Sequence, residues 1–178
     1  VSIAPDFSMV SKYSDWWIPV KPGTDAALWM AVNHVILKEF FEERQVPYFI
    51  NYLKQYTDST FLVELEKDGD AYKAGRLLRA NRVKRYTNEE NGDWKLLVFD
   101  KTSKQPRMPK GTVGYRWSKE KGKWNLKMED GQDDTPLDPE LTFLDEHDEI
   151  VNVAYHEFAE AKVALRGIPI RYVETDRG

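Results

Sequence analysis

An aspartate at the predicted start of a long helix is the residue best placed to do chemistry in this sequence. Asp25 ends the turn Pro-Gly-Thr-Asp, and good helix formers follow from Ala26 with no Gly or Pro until Pro47. The turn is therefore expected at a helix N-terminus, where four backbone N–H groups lack partners and the helix dipole is positive. A carboxylate there can accept two parallel hydrogen bonds from one ligand edge. The alternative is that Thr24 or Asp25 merely caps the helix, which is a routine use of both residue types.

A second candidate loop lies closer to the start of the chain. The apolar segment Val1 to Ile3 is predicted to be a strand, and the loop Ala-Pro-Asp-Phe-Ser at residues 4–8 follows it directly. In open α/β sheets, ligands bind at the carboxyl ends of the strands. A nucleotide would therefore meet residues 4–8 if this segment belongs to such a domain.

The elements that position the two loops alternate in type. Met9 to Tyr13 is predicted as a short helix and Trp16 to Val20 as a second short strand, which leads through the turn into the long helix. This alternation is typical of a parallel sheet with helices packed on it. Because the long helix is apolar on most sides, it is expected to be buried between the sheet and another layer.

A second helix and a hairpin are predicted next. The second helix has Pro47 in its first turn, where proline is well tolerated. Two strand-like segments follow, at residues 61–66 and 71–75, and Asp68 and Gly69 lie between them. An Asp-Gly pair between two such segments favours a β-hairpin.

The third quarter of the chain has the spacing of a β-meander. Strand-like segments at residues 94–100, 111–117 and 123–129 are separated by turn residues, including the stretch 104–111 with two prolines. We interpret this part as an inserted β-rich lobe.

A helix and a strand are predicted to end the chain. The helix would run from Asp145 to Ala164 and the strand from Ile168 to Val173. The buried face of that helix would comprise Ile150, Val151, Val153, Ala154 and Phe158.

Composition excludes several classes of function. The net charge of −4 over 178 residues argues against a nucleic-acid-binding domain, and the absence of cysteine excludes disulfides and cysteine-ligated metal clusters in this chain. Asp130, Asp133 and Asp134 superficially resemble calcium ligands, but the EF-hand pattern is not met, so no metal site is predicted. There is no apolar run of the ~18 residues that a membrane span needs. The chain lacks an initiating Met and is expected to be part of a longer polypeptide.

The predicted fold class is α/β, part of a Rossmann-like parallel-sheet domain with an inserted β-rich lobe. We expect residues 1–87 to form the partial Rossmann-like region and residues 88–140 the insertion. Residues 141–178 would supply a helix and a strand that return toward the main domain.

Five segments together resemble a known family. Their order and spacing are similar to the catalytic alpha subunit of respiratory nitrate reductases, within the dimethyl sulfoxide reductase family of molybdenum enzymes. Nitrite oxidoreductases and selenate, chlorate or perchlorate reductases are close to it. The segments are SIAPDFS, the stretch from residue 12 to residue 40, YTDSTFLV, AGRLLRA and GTVGYRWSKEKGKWNLK.

The resemblance implies a role for both loops. In this family they hold the guanosine portion of one of two molybdopterin guanine dinucleotides. Guanine presents N1–H and N2–H₂ side by side, and a charged carboxylate accepts both strongly. A glycine lets the backbone approach the base because it has no Cβ. The cofactor-binding residues implied are Ala4, Pro5, Asp6, Phe7, Ser8, Gly23, Thr24 and Asp25.

The resemblance also implies what this chain does not carry. The cofactor would be molybdenum bis(molybdopterin guanine dinucleotide), and a 4Fe–4S cluster would be bound through ligands outside this chain. We therefore expect no catalytic residue and no metal ligand here, and no turnover by these residues alone. The implied partners are the remainder of the alpha subunit and an iron–sulfur beta subunit, with a membrane-anchor haem subunit as a further candidate. Membrane association would come through those partners.

A hypothesis from another class remains open. The chain could be a free-standing, non-catalytic binding module that uses a Rossmann-like half-fold and the β-rich lobe to hold a partner protein. The mass of the native gene product separates the two, because a complete subunit would be several times longer.

Overall fold

The computed structural model describes residues 1–111, 126–157 and 162–178. They form two compact units, Val1–Phe49 and Ile50–Gly178. The class is mixed α/β with several small sheets, which agrees with the predicted α/β class. The division into three regions at residues 87 and 140 stays a prediction.

The first unit has the predicted order of strand, loop, short helix, strand, loop and long helix. Strands β1 (Ser2–Ile3) and β2 (Trp17–Ile18) are parallel neighbours, and a 3₁₀ turn at Ser11–Tyr13 lies between them in sequence. Helix α1 (Asp25–Ile36) follows and continues as a π-helix over Leu37–Glu43. The two strands, the short helix and the long helix are thus confirmed, with both strands shorter than expected.

The expected burial of the long helix is wrong for this chain. No residue of α1 or of the π-helix is buried, and Trp29, Met30 and Val35 are each more than half exposed. The parallel pair formed by β1 and β2 is two residues long in each strand. Such a pair offers too little apolar surface to cover a helix of twelve residues.

The second predicted helix and the hairpin are confirmed. Helix α2 spans Pro47–Tyr56, and proline occupies its first position, where a missing N–H loses no helical hydrogen bond. Strands β3 (Val63–Asp68) and β4 (Ala71–Leu77) pair in antiparallel register, and Gly69 with φ +63° lies in the turn that joins them.

The predicted C-terminal helix is wrong, because its residues form strands. Strand β9 spans Glu149–Glu157 and pairs along its full length with β10 (Lys162–Ile170) in antiparallel register. Ile150, Val151 and Val153 are β-branched and fit a pleated sheet better than a helix. Phe158 lies outside the described residues. The predicted final strand is found over its first part, Ile168 to Ile170, and is the end of β10.

These strands form one sheet in the second unit. Its order is β10-β9-β4-β3, and β4 meets β9 in parallel at Tyr72 and Val153. Val151 and Val153 are buried on one face of β9, whereas Ile150 on the other face is exposed. The sheet is therefore mixed, not the continuous parallel sheet of a Rossmann-like domain.

The β-rich part forms two short antiparallel pairs. Strand β5 (Val98–Asp100) pairs with β6 (Gln105–Arg107), and β7 (Pro109–Lys110) pairs with β8 (Lys127–Asp130). The stretch 104–111 was predicted as a turn, and that is wrong because it supplies β6 and β7. The predicted strand at 111–117 lies outside the described residues except for its first residue, and so does the first half of the one at 123–129.

The core of the second unit gathers around a buried tyrosine. The Tyr86 hydroxyl donates to Asp130 Oδ2 at 2.6 Å and accepts from the Met108 N–H at 3.2 Å. Burial and the neighbouring Asp130 carboxylate raise the pKa of Tyr86, so it stays protonated and can donate. The residues packed together there are Leu78, Ala80, Val83, Tyr86, Leu97 and Met108.

Candidate functional site

The two strands that precede the candidate loops end side by side. Ser2 is level with Trp17 and Ile3 with Ile18, and the Ala4 N–H donates to the Ile18 carbonyl at 3.3 Å. Residues 4–8 therefore begin where β1 ends, beside the point where β2 ends and its chain runs on toward the turn. The first loop thus begins at a strand end, where α/β proteins place ligand-binding loops, and the second loop begins at Gly23, five residues after β2 ends.

Trp17 holds the first loop in place. Its indole N–H donates to the Ala4 carbonyl at 3.0 Å, and the Phe7 ring packs edge-on against it with centroids 5.4 Å apart. Sequence reasoning missed this role and treated Trp17 only as part of a strand. The sequence did contain a clue, because Trp17 lies in a short predicted strand beside the loop and an indole N–H that is shielded from water needs an acceptor.

The far end of the first loop is fixed by serines. The Ser11 N–H donates to the Ser8 carbonyl at 3.0 Å, and the buried Ser2 and Ser11 hydroxyls are 3.2 Å apart. The Ser8 N–H donates to the Asp6 carbonyl at 3.0 Å. Ala4 and Ser8 are half-buried, whereas Pro5, Asp6 and Phe7 between them are exposed. The loop is thus anchored at both ends and open in the middle.

The second loop is a tight turn that requires glycine. Gly23 has φ +80°, a conformation that L side chains rarely adopt, and no atom lies within 4 Å of where its Cβ would be. The Thr24 N–H and hydroxyl both donate to the Lys21 carbonyl, at 3.1 and 2.6 Å. The turn is closed by these two bonds, and the side of Gly23 stays open to a ligand.

Neither side chain named in the capping alternative caps the helix. Thr24 occupies the N-cap position but makes no side-chain bond to the helix, because its hydroxyl donates backward to Lys21. Asp25 is the first residue of α1 and is exposed. Within the described ranges its carboxylate accepts no hydrogen bond and forms no ion pair. The Asp25 carboxylate thus lies at the positive end of a helix with its acceptor sites open.

The three aspartates that resemble calcium ligands are engaged with other side chains. Asp130 is buried against Tyr86, and Asp133 accepts from Arg85 Nη2 at 2.6 Å. Hydrogen bonds from Thr135 and Arg85 lower the pKa of Asp133 to about 2. Asp134 pairs with Lys110. In the part of the chain that the structure describes, no three His, Cys, Asp or Glu side chains come together in a way that could hold a metal ion.

A membrane-spanning helix was also sought. Across residues 1–111, 126–157 and 162–178, none of the helices has both the length and the apolar character that a bilayer span requires.

Two adjacent parallel strands followed by a helix, together with the mixed sheet of the second unit, place this chain in the mixed α/β class. No family model matches the chain. The chain does resemble known proteins. It is 42% identical over 173 residues to the nitrate reductase alpha chain of Bacillus subtilis (strain 168), and the matched residues make up 96% of this chain and 14% of that protein. It is 40% identical over 159 residues to the respiratory nitrate reductase 1 alpha chain of Escherichia coli (strain K12), 89% of this chain and 13% of that one.

A more distant match is the perchlorate reductase subunit alpha of Dechloromonas aromatica (strain RCB), 34% identical over 114 residues, 64% of this chain and 10% of that protein. The resemblance inferred from the sequence is confirmed, and the chain is a homologue of one segment of the nitrate reductase alpha chain. It spans about one-seventh of the length of the first of these relatives.

Proposed function

We propose that this chain is a segment of a molybdenum-dependent oxidoreductase that reduces nitrate to nitrite or runs the reverse reaction. The observation that carries the proposal is the 42% identity over 96% of the chain to a protein named nitrate reductase alpha chain. The match to a perchlorate reductase subunit keeps other oxyanions as candidate substrates. The chemistry would be supplied by the molybdenum cofactor, and this chain's residues would bind and orient it.

The contribution of this chain would be to hold the guanosine part of molybdopterin guanine dinucleotide. The residues assigned to it are Ala4, Pro5, Asp6, Phe7, Ser8, Gly23, Thr24 and Asp25. In support of this role, the donors and acceptors available at the two loops fit the group. Asp25 presents two open acceptor atoms to the adjacent N1–H and N2–H₂ of a guanine edge, which adenine lacks. The open side of Gly23 leaves room for a base close to the backbone.

The first loop would complete the binding surface around the sugar and base. Phe7 is 58% exposed even though one edge of its ring contacts Trp17, so its outer surface can pack against a ligand. Asp6 and Ser8 add polar atoms suited to the ribose hydroxyls. These residues sit on a loop whose ends are fixed by backbone and tryptophan hydrogen bonds, and such preorganisation reduces the entropy lost on binding.

The other parts of the enzyme would come from elsewhere. The chain contains no cysteine, so the ligands of a 4Fe–4S cluster would lie in other segments of the same subunit. The relatives are named alpha chains, which supports assembly with further subunits. We expect an iron–sulfur beta subunit, with a membrane-anchor haem subunit as a further candidate that would make the complex membrane-associated. The helix α1 would pack on further parallel strands of a Rossmann-like domain.

The test is made on the complete native protein. We expect molybdenum, guanine nucleotide released by acid hydrolysis in proportion to it, and nitrate-dependent oxidation of a reduced viologen. A native gene product of about the mass of this chain, free of molybdenum and inactive, would contradict the proposal and favour the free-standing binding module. Activity with chlorate or selenate but not nitrate would change the substrate while keeping the cofactor.

A further inference from the structure

The side chain of Trp17 reaches from β2 to Ala4, the residue at which the first loop begins. The indole N–H donates to the Ala4 carbonyl at 3.0 Å, and the Ala4 N–H donates to the Ile18 carbonyl at 3.3 Å. Both polar backbone groups of Ala4 are therefore bonded to the same strand. The half-buried Trp17 differs in this from Trp16, which is 63% exposed and whose indole forms no hydrogen bond with the described residues.

The hydrogen bond to the Ala4 carbonyl controls the path of the loop because a proline comes next. The Ala4 carbonyl and the Pro5 ring nitrogen lie in one rigid peptide plane, so a donor that fixes the carbonyl also fixes that nitrogen. The proline ring then holds φ of Pro5 at about −65°. Only ψ of Pro5 remains free before the chain reaches Asp6. The Trp17 N–H thus sets the direction in which the loop leaves β1.

The Trp17 ring also orients Phe7. The two rings meet edge to face, with their centroids 5.4 Å apart and their planes inclined by 83°. This arrangement is electrostatically favourable, because the positive edge of one ring lies against the negative face of the other. Phe7 is otherwise 58% exposed. Trp17 therefore determines how the outer surface of Phe7 is presented.

No apolar core holds this loop from within the first unit. Residues 1–49 are all described, and the buried side chains among them are the polar Ser2 and Ser11. A loop that lies over a packed core keeps its shape when one hydrogen bond is removed. Residues 4–8 lack that support in this chain, so their shape depends on the hydrogen bonds at their two ends and on the contact with Trp17.

We propose that Trp17 is a positioning residue for the guanosine group, acting through Ala4 and Phe7 without touching the ligand. The inference rests on the proposed function, in which residues 4–8 contact that group. Without the indole N–H, the Ala4 carbonyl loses its partner and residues 5–8 sample more conformations, so binding has to restore the shape of the loop. A hydrogen bond between neutral groups changes an equilibrium constant roughly 2-fold to 12-fold, and the affinity for the cofactor should fall by such a factor.

Replacing the indole N–H alone, in the complete protein, tests the proposal. Benzothienylalanine has the shape of tryptophan but carries sulfur in place of the N–H, so at position 17 it keeps the contact with Phe7 and removes only the donor. The same replacement of Trp16 is the matched control, and fluorotryptophan at position 17, which retains the N–H, is the rescue. Two quantities are measured: the guanine nucleotide retained during extended dialysis, and the hydrogen exchange of a peptide containing residues 6–8, which reports local opening of the loop.

We expect benzothienylalanine at position 17 to weaken the retention of guanine nucleotide roughly 2-fold to 12-fold and to speed the exchange of residues 6–8 by a similar factor. The control and the rescue should both match the wild type. A packing role alone predicts wild-type values at position 17 as well, because the ring shapes match, and that result would overturn the proposal.

Two other results would also overturn it. Faster exchange with full retention would mean that the shape of the loop does not matter to the cofactor, and equal losses at positions 16 and 17 would mean that the donor to Ala4 has no special role. Failure of the proposed function is recognised separately, because the complete wild-type protein would then carry no guanine nucleotide before any variant is compared.

Discussion

Replacing Asp25 with Asn distinguishes base recognition from a purely structural role. We expect the substitution to change the stability of the fold very little, because the carboxylate makes no hydrogen bond or ion pair with the described residues and Thr24 occupies the N-cap position. What is lost is the interaction of a negative charge with the helix dipole, about 0.3–1 kcal/mol at an exposed position. The thermal unfolding midpoint of the complete protein should therefore move by no more than a few degrees.

The effect on the cofactor should be larger. The asparagine side chain keeps one acceptor but turns an NH₂ group toward the second guanine donor, so that donor is left unpaired. An unpaired buried donor costs about 1–3 kcal/mol. This corresponds to a dinucleotide bound roughly 5-fold to 150-fold more weakly.

The assay is molybdenum and guanine nucleotide per purified subunit, measured before and after extended dialysis. Asp15→Asn is the matched control, since Asp15 is also an exposed aspartate of the first unit but precedes β2 instead of following it. We expect loss of both molybdenum and guanine in Asp25→Asn and full occupancy in Asp15→Asn. Wild-type occupancy and retention in Asp25→Asn would refute the reasoning and leave residues 4–8 as the remaining candidate contact. Equal loss in both variants would refute it too.

Three further predictions concern the turn, the pH response and the isolated chain. Gly23→Ala should destabilise the protein by about 1–2 kcal/mol through left-handed backbone strain and should also reduce the guanine nucleotide that is retained. Gly69 has a similar positive φ and equally open surroundings, so Gly69→Ala should cause the same strain without loss of cofactor. Calorimetric unfolding together with nucleotide analysis checks both variants. Burial raises the pKa of Asp100, but the N–H groups of Asp138 and Ser103 outweigh this effect and hold the pKa below its usual value. The ionised Asp100 therefore stabilises the fold above about pH 4, and this stabilisation disappears as the pH falls through the lowered pKa. The free energy of unfolding of Asp100→Asn should be lower than that of the wild type at pH 7, and the difference should shrink by pH 3. The isolated 178 residues should self-associate through the exposed helix α1, and sedimentation at several concentrations that found only monomer would contradict this.

Local signals in the sequence were sufficient for the first unit and the hairpin. Gly23 must adopt a positive φ, and helix formers without a break follow it, so the start of α1 is encoded within a few residues. The Asp-Gly pair at residues 68 and 69 encodes the β3–β4 turn in the same way. The similarity to nitrate reductase alpha chains was also present in the sequence, since it rests on the order of residue types alone.

Tertiary structure decided the elements whose local pattern is ambiguous. The spacing of the apolar side chains in residues 149–157 is compatible with one face of a helix, but their β-branching and the pairing with β10 and with Tyr72 of β4 select the strand. The prolines of the stretch 104–111 favour a turn, yet pairing with the nearby β5 makes part of it β6 and pairing with the more distant β8 makes part of it β7.

The candidate site divides in the same way. The sequence by itself placed both loops after strands and before helices, because turn and helix signals act over a few residues. Only the tertiary structure put those strands side by side in parallel and recruited Trp17 to hold residues 4–8. Hydrogen-bond partners and burial depend on which distant segments meet, and no local pattern of residue types encodes that choice.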